Sequence, residues 1–159
     1  MKKRLLALIC VIALLIPLTA CSKNKGDTEL DREKLAGDFL CAMLLVDEDE
    51  LEDLAHPDLV RYYSNLDPYD AFDCVPYDVK VLQTKELNKL NTDDLMELEE
   101  EIEEETGENI KFDKAYKIAV QVELYAKTED GDKESVKMTV MVFVGECDGD
   151  WYGIWTSSK

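Results

Sequence analysis

The chain of 159 residues is poor in histidine, the commonest general base and metal ligand. Histidine occurs once, at His56. No two cysteines stand at Cys-x-x-Cys spacing, which argues against a metal site built from them. There is no Gly-rich phosphate loop and no Gly-x-Ser-x-Gly elbow, which removes P-loop nucleotide chemistry and the α/β-hydrolase mechanism. No internal repeat is present. Basic residues are half as many as acidic ones, 18 against 36, for a net charge of −18. Such a chain repels phosphate backbones, so a nucleic acid is not expected as a partner. No apolar run reaches the roughly 20 residues of a membrane-spanning helix. The longest, Leu5 to Leu18, is interrupted by Pro17.

That run has a defined context. Met1-Lys2-Lys3-Arg4 precedes it and Leu18-Thr19-Ala20-Cys21 closes it. A basic start, a short apolar stretch and small residues at a cut site make a secretory signal. The basic start favours the cytoplasmic side, so the remainder of the chain is exported. The Leu-Thr-Ala-Cys step resembles the lipobox of bacterial lipoproteins. The resemblance covers the first twenty-one residues. It implies cleavage before Cys21, a diacylglyceryl group on the Cys21 sulfur, and attachment to the outer face of the cell membrane. Two or more acyl chains hold a protein stably where one does not. Residues 1–20 are then the signal, and Cys21 with the polar stretch 22–28 is a tether. Loss of Lys2, Lys3 and Arg4 leaves 15 basic residues against 36 acidic, a net charge of −21.

Residues 29–159 are enough for one domain with a real core and too few for two. Leu35, Phe39, Ala42, Met43 and Val46 recur at helical spacing within 29–46. Asp47 offers an N-cap to a second helix carrying Leu51, Leu54 and Ala55, and Pro57 suits the first position of a third. Residues 75–84 read as a strand with Tyr77, Val79 and Val81 on one side. Thr92-Asp93-Asp94 opens a further helix and Gly107 closes it, with the stripe Leu95, Leu98, Ile102 docked by one edge. Three strands come next, in 111–127, 133–145 and 150–156, joined by Asp130-Gly131 and Asp148-Gly149 hairpin turns. On the last strand Trp151 and Trp155 are expected to share a face. The order predicts an α+β domain whose N-terminal helices pack in the hollow of a curved antiparallel sheet.

This layout, with Leu54-Ala55-His56-Pro57-Asp58 and Asp148-Gly149-Asp150-Trp151, is similar to the NTF2-like (cystatin-like, SnoaL-like) superfamily. The resemblance spans most of 29–159. It implies a cone-shaped hollow, and a second sheet face through which such domains often pair. The sequence departs from the family in showing one strand, not two, before the helix at Thr92.

Candidate residues carry two readings each. His56 beside Asp58 could be a general base, since enzymes of the resembled family use a His–Asp pair; those histidines usually sit on a strand, and the alternative for His56 is helix capping and packing. Cys41, Cys74 and Cys147 remain in the domain. They form one bridge, for which Cys41–Cys74 is the leading pair, or none; a metal site built from all three is the third and least favoured reading. Asp47, Asp49 and Glu50, like Asp67, Asp70 and Asp73, lack the Gly and Glu of a calcium loop and read as solvated turns, so no metal and no cofactor is expected. Glu97 to Glu105 is a nearly continuous acidic helix face, either solvated or set against a basic partner. Trp155 is the candidate for lining a pocket. The second faces of the two long strands carry Lys117, Gln121, Glu123 and Tyr125, and Lys137, Thr139, Met141 and Phe143. A half-apolar sheet face is unusual in open water and marks either a partner or homodimer surface or one partly covered by the chain's own terminus or loops. The expected function is binding of a protein or small ligand without catalysis. A pocket enzyme of hydrolase or isomerase type, or a purely structural accessory lipoprotein, are the alternatives.

Overall fold

The structure, a computed structural model, describes residues 31–67, 75–127 and 131–157. The signal, Cys21 and the tether lie outside these residues, as does Cys74. The described residues form four helices and four strands: α1 (Arg32–Leu45), α2 (Glu48–Leu54), α3 (Pro57–Ser64), β1 (Val75–Lys89), α4 (Thr92–Thr106), β2 (Lys114–Lys127), β3 (Lys133–Cys147) and β4 (Asp150–Ser157). The strands make one antiparallel sheet in the order β1-β2-β3-β4.

Capping residues place the helices. Asp31 accepts the Lys34 N–H and starts α1; Asp47 accepts the Glu50 N–H and starts α2. His56 Nδ1 accepts the Asp58 N–H ahead of Pro57 and starts α3. Asn91 accepts the N–H groups of Asp93 and Asp94 and starts α4, and Gly107, at φ 77°, ends it. The Asp148-Gly149 hairpin has φ of 55° and 91°, the mirror-image turn whose twist suits antiparallel strands.

α1 packs across one face of the sheet. Ala36, Phe39, Leu40, Met43 and Leu44 pack on the inner face of the strands, where Ile118, Val120, Val122, Val142 and Val144 are buried. Each large side chain buried there contributes about 1.5–3 kcal/mol. The Phe39 ring lies against the backbone of Gly153, where a Cβ would collide with it. α2 and α3 close the free edge of β4: Ala55 bridges to Gly153, and the His56 N–H donates to the Gly153 carbonyl at 3.3 Å. Tyr63 donates its hydroxyl to the Ile154 carbonyl at 2.9 Å and meets Phe39 edge-on.

α4 takes the other face. The Leu90 N–H donates to the Ala115 carbonyl of β2, and Glu101 accepts the Trp155 indole N–H of β4. The helix therefore crosses the outer face at one end of the sheet. Leu98 and Ile102 are buried beneath it.

Two expectations are corrected by bulges. Residues Tyr77, Leu82 and Leu87 of β1 fall at register shifts and have no partner on β2. Tyr77 consequently leaves the face of Val79 and Val81, and β1 runs on past Thr84 to Lys89. On β4 a shift opposite Phe143 and Val144 moves Trp155 to the outer face, while Trp151 stays with Tyr116 inside. The two tryptophans thus point to opposite sides.

Candidate functional site

Cross-strand register sorts the outer face into rows. Next to α4 stands Asn88–Lys117–Phe143–Trp155. Moving away come Lys85–Ala119–Met141–Ser157, Gln83–Gln121–Thr139, Lys80–Glu123–Lys137, Asp78–Tyr125–Ser135 and Val75–Lys127–Lys133. The expected surface residues are together on this face, and they divide into two groups.

The first group is covered by the chain itself. Phe143 is 9% exposed and belongs to the core cluster; the Lys117 ammonium stands 5.7 Å from its ring centre. Trp155, expected in a pocket, is 7% exposed. It stacks on Tyr62 of α3 and is held by Glu101 of α4, so it closes a seam between helices instead of lining a cavity. The cause is the β4 bulge, which turns the ring under α4. The second group is open. Gln121 and Thr139 are exposed, and Glu123, Tyr125 and Met141 are half-buried. The Tyr125 ring lies 6.5 Å from that of Tyr77, and Tyr125 shares a hydrogen bond with Glu123 that raises its pKa.

The open rows have a charge the composition hides. Lys80, Lys85, Lys127, Lys133 and Lys137 stand there, against Asp78 and Glu123. None of the five lysines is in an ion pair among the described residues. In a chain of −18, this is a basic surface. Lys85 could not be assigned to it from sequence, because the bulge at Leu82 breaks the alternation that sorts faces.

The acidic helix α4 differs from expectation in one residue. Glu97, Glu100, Glu101, Glu103, Glu104 and Glu105 are exposed, but Glu99 is 6% exposed. Its carboxylate accepts the Phe112 N–H at 2.9 Å and pairs with Lys111 at 2.8 Å, raising the Lys111 pKa. It ties α4 to the segment entering β2, and its position in an acidic run gives no sign of this.

His56 is placed as a cap. It is 8% exposed, wedged edge-on against Phe112 and Tyr152. Burial lowers its pKa below 6.5, opposed by Asp58 and Asp148. Asp58 Oδ2 is 3.9 Å from Nδ1, but that nitrogen is already occupied as acceptor of the Asp58 N–H. Cys41 and Cys147 are free thiols, half-buried, and burial together with Asp38, Glu50 and Asp78 pushes Cys41 up to about 11. The pairing expected for Cys41 involves Cys74, outside the described residues. Asp47, Asp49 and Glu50 serve as cap and first turn of α2. Among the described residues no group of three His, Cys, Asp or Glu side chains could hold a metal ion, and no helix is long and apolar enough to cross a membrane.

No known family profile and no curated protein matches the chain. Among solved structures it is similar to the solution structure of a SEC-C motif containing protein from Rhodopseudomonas palustris. The identity is 12% and the TM-score 0.36, over 74% of this chain and 70% of that one.

Proposed function

We propose that this chain is an extracytoplasmic lipoprotein, held on the outer face of the cell membrane by lipid on Cys21. Its domain, of NTF2-like (cystatin-like) type, binds a partner through the outer sheet face and performs no catalysis. The basic, uncovered half of that face in a strongly acidic chain is the observation that carries the binding reading. The arrangement of the hollow supports it. An enzyme of this type would work in the hollow, and here Phe39, Leu40 and Leu44 occupy it fully buried. His56, the one histidine, spends Nδ1 on a helix cap.

Two measurements on the full-length chain expressed in bacteria test the two halves separately. Mass spectrometry of the N-terminal peptide should show Cys21 as first residue carrying a diacylglyceryl group; an unmodified Cys21 sinks the anchor. A photo-crosslinking residue at Gln121 or Thr139 should give a discrete adduct in cells, while one at Glu52, exposed on α2, should not. Equal labelling from all three positions, or none from any, would remove the sheet face as a binding surface.

A further inference from the structure

The exposed apolar side chains of the fold are concentrated on one edge. Of the seven large ones among the described residues, four lie on β1: Val75, Tyr77, Leu82 and Leu87, at 38–44% exposure. The register shows how three of them are displayed. Tyr77, Leu82 and Leu87 have no partner on β2, and each stands between an inner-face and an outer-face residue: Pro76 and Asp78, Val81 and Gln83, Glu86 and Asn88. One bulge is thus repeated every five residues, in the same phase, so the three side chains form a row along the free edge. Lys80 and Lys85 alternate with them, and neither is in an ion pair among the described residues.

Apolar groups on a sheet edge attract another strand, and proteins usually place charge there instead. This edge offers a strand little, because the bulges break the spacing of its backbone groups and Glu33 takes the Glu86 N–H. The row suits a surface that accepts apolar side chains, asks for no backbone hydrogen bonds and is negatively charged. An anionic lipid interface has all three properties. Tyrosine and lysine settle at such an interface with the ring or stem inward and the polar end in water.

Two further observations single out this edge. The chain from Cys21 enters the fold beside it: Arg32 pairs with Glu86 at 2.8 Å, and Glu33 accepts the Glu86 N–H at 2.9 Å and the Thr84 hydroxyl at 3.2 Å. Residues 22–30 separate Cys21 from Asp31 and span at most about 30 Å. The acids, meanwhile, gather on the other side. α2, with its acidic first turn, leads into the Ala55 bridge that closes the β4 edge. α4 starts with Asp93 and Asp94 near the end of β1 but carries its glutamates toward β4, where Glu101 holds Trp155. The acids of β1 itself are Asp78 and Glu86, and Glu86 is paired with Arg32.

We propose that the β1 edge rests on the anionic lipid surface to which the chain is anchored, Tyr77, Leu82 and Leu87 entering the interface and Lys80 and Lys85 meeting its phosphates. The proposal rests on the Cys21 anchor and gives the domain an orientation. The acidic helices point away from the lipid, and the outer sheet face stays open at the side for a partner.

The test uses the full-length chain in vesicles of phosphatidylglycerol and phosphatidylethanolamine. An alkyl-diazirine amino acid placed at Leu82 or Leu87 should crosslink to lipid on irradiation. At Glu52 of α2 or Thr139 of the outer face, both exposed, the yield should be lower by about tenfold. Vesicles of neutral phosphatidylcholine should cut the Leu82 yield by about tenfold, as should Lys80→Glu with Lys85→Glu. Tyr77→Ser with Leu87→Ser should lower it as well, and the vesicle comparison needs no variant to fold. The orientation is overturned if Leu82 and Leu87 label lipid no better than Glu52, if phosphatidylcholine gives the same yield, or if the adducts join two copies of the chain. Any of these with a diacylglyceryl group on Cys21 leaves the anchor standing. A bare Cys21 overturns the anchor and the orientation with it.

Discussion

Val46 ends α1 in a conformation that valine adopts with difficulty. Its φ is 51° and ψ 46°, left-handed, where a β-branched side chain is a rare outlier. The geometry is kept because the Val46 and Asp47 N–H groups close on the Ala42 and Met43 carbonyls, and Asp47 must turn at once to cap α2. Relief of strain outweighs the loss of a half-buried side chain. Val46→Gly should therefore stabilise the protein by about 1 kcal/mol in urea unfolding. His56 carries the second prediction at this scale. Burial holds its folded pKa below 6.5, so the folded state favours the neutral ring, and Nδ1 must be unprotonated to accept the Asp58 N–H. The contribution is complete above the unfolded pKa of about 6.5. It is lost as pH falls through 6.5 toward the folded value. Wild-type melting temperature should drop between pH 7 and 5 more than that of His56→Asn, which keeps a cap but does not titrate there. A parallel decline in both proteins would show that His56 is not the titrating group.

At the scale of elements, periodicity carried the reading as far as the backbone stayed regular. Burial alternates without interruption over residues 117–127, and β2 pairs with β3 without a register shift, so their faces follow from period two. The starts of α2 and α3 were legible because Asp47 and Pro57 are local signals, while α1 starts at a cap, Asp31, that its apolar spacing does not mark, and α4 is capped by Asn91, one residue ahead of the Thr92-Asp93-Asp94 expected to open it. Bulges are not local signals. Tyr77, Leu82 and Leu87 lie five residues apart, all exposed apolar side chains, and each reverses the sorting of the residues after it. The same device on β4 separated Trp151 from Trp155. β1 is an edge strand, and its bulges, with Glu33 accepting the Glu86 N–H at 2.9 Å, leave few free donors for another strand to pair with. On the opposite edge, Gly153 is a contact the sequence does not announce. The missing side chain lets Phe39 reach the β4 backbone. Gly153→Ala should cost about 1–3 kcal/mol by overpacking. Combined with Phe39→Leu, the total loss should fall short of the sum of the two, the coupling expected of residues in contact. Strict additivity would place the strain elsewhere.

Over the whole molecule, composition predicts the net charge but not its arrangement. A value of −18 argues against anionic partners only if charge is spread evenly, and here it is not. The acids line α2 and α4, and lysines gather on one sheet face. Such segregation works against the single chain, because aligned carboxylates on α4 repel one another at i,i+3 and i,i+4. A surface shaped only by solubility and stability would intersperse its signs. The triple variant Glu97→Gln, Glu100→Gln and Glu104→Gln measures that cost. It removes the repulsion, so the chain should gain about 1 kcal/mol in thermal or urea unfolding at low salt. The gain should shrink in roughly 0.5 M salt, where screening weakens the repulsion in the wild type. A variant no more stable than the wild type at low salt would show that the aligned carboxylates of α4 do not oppose folding.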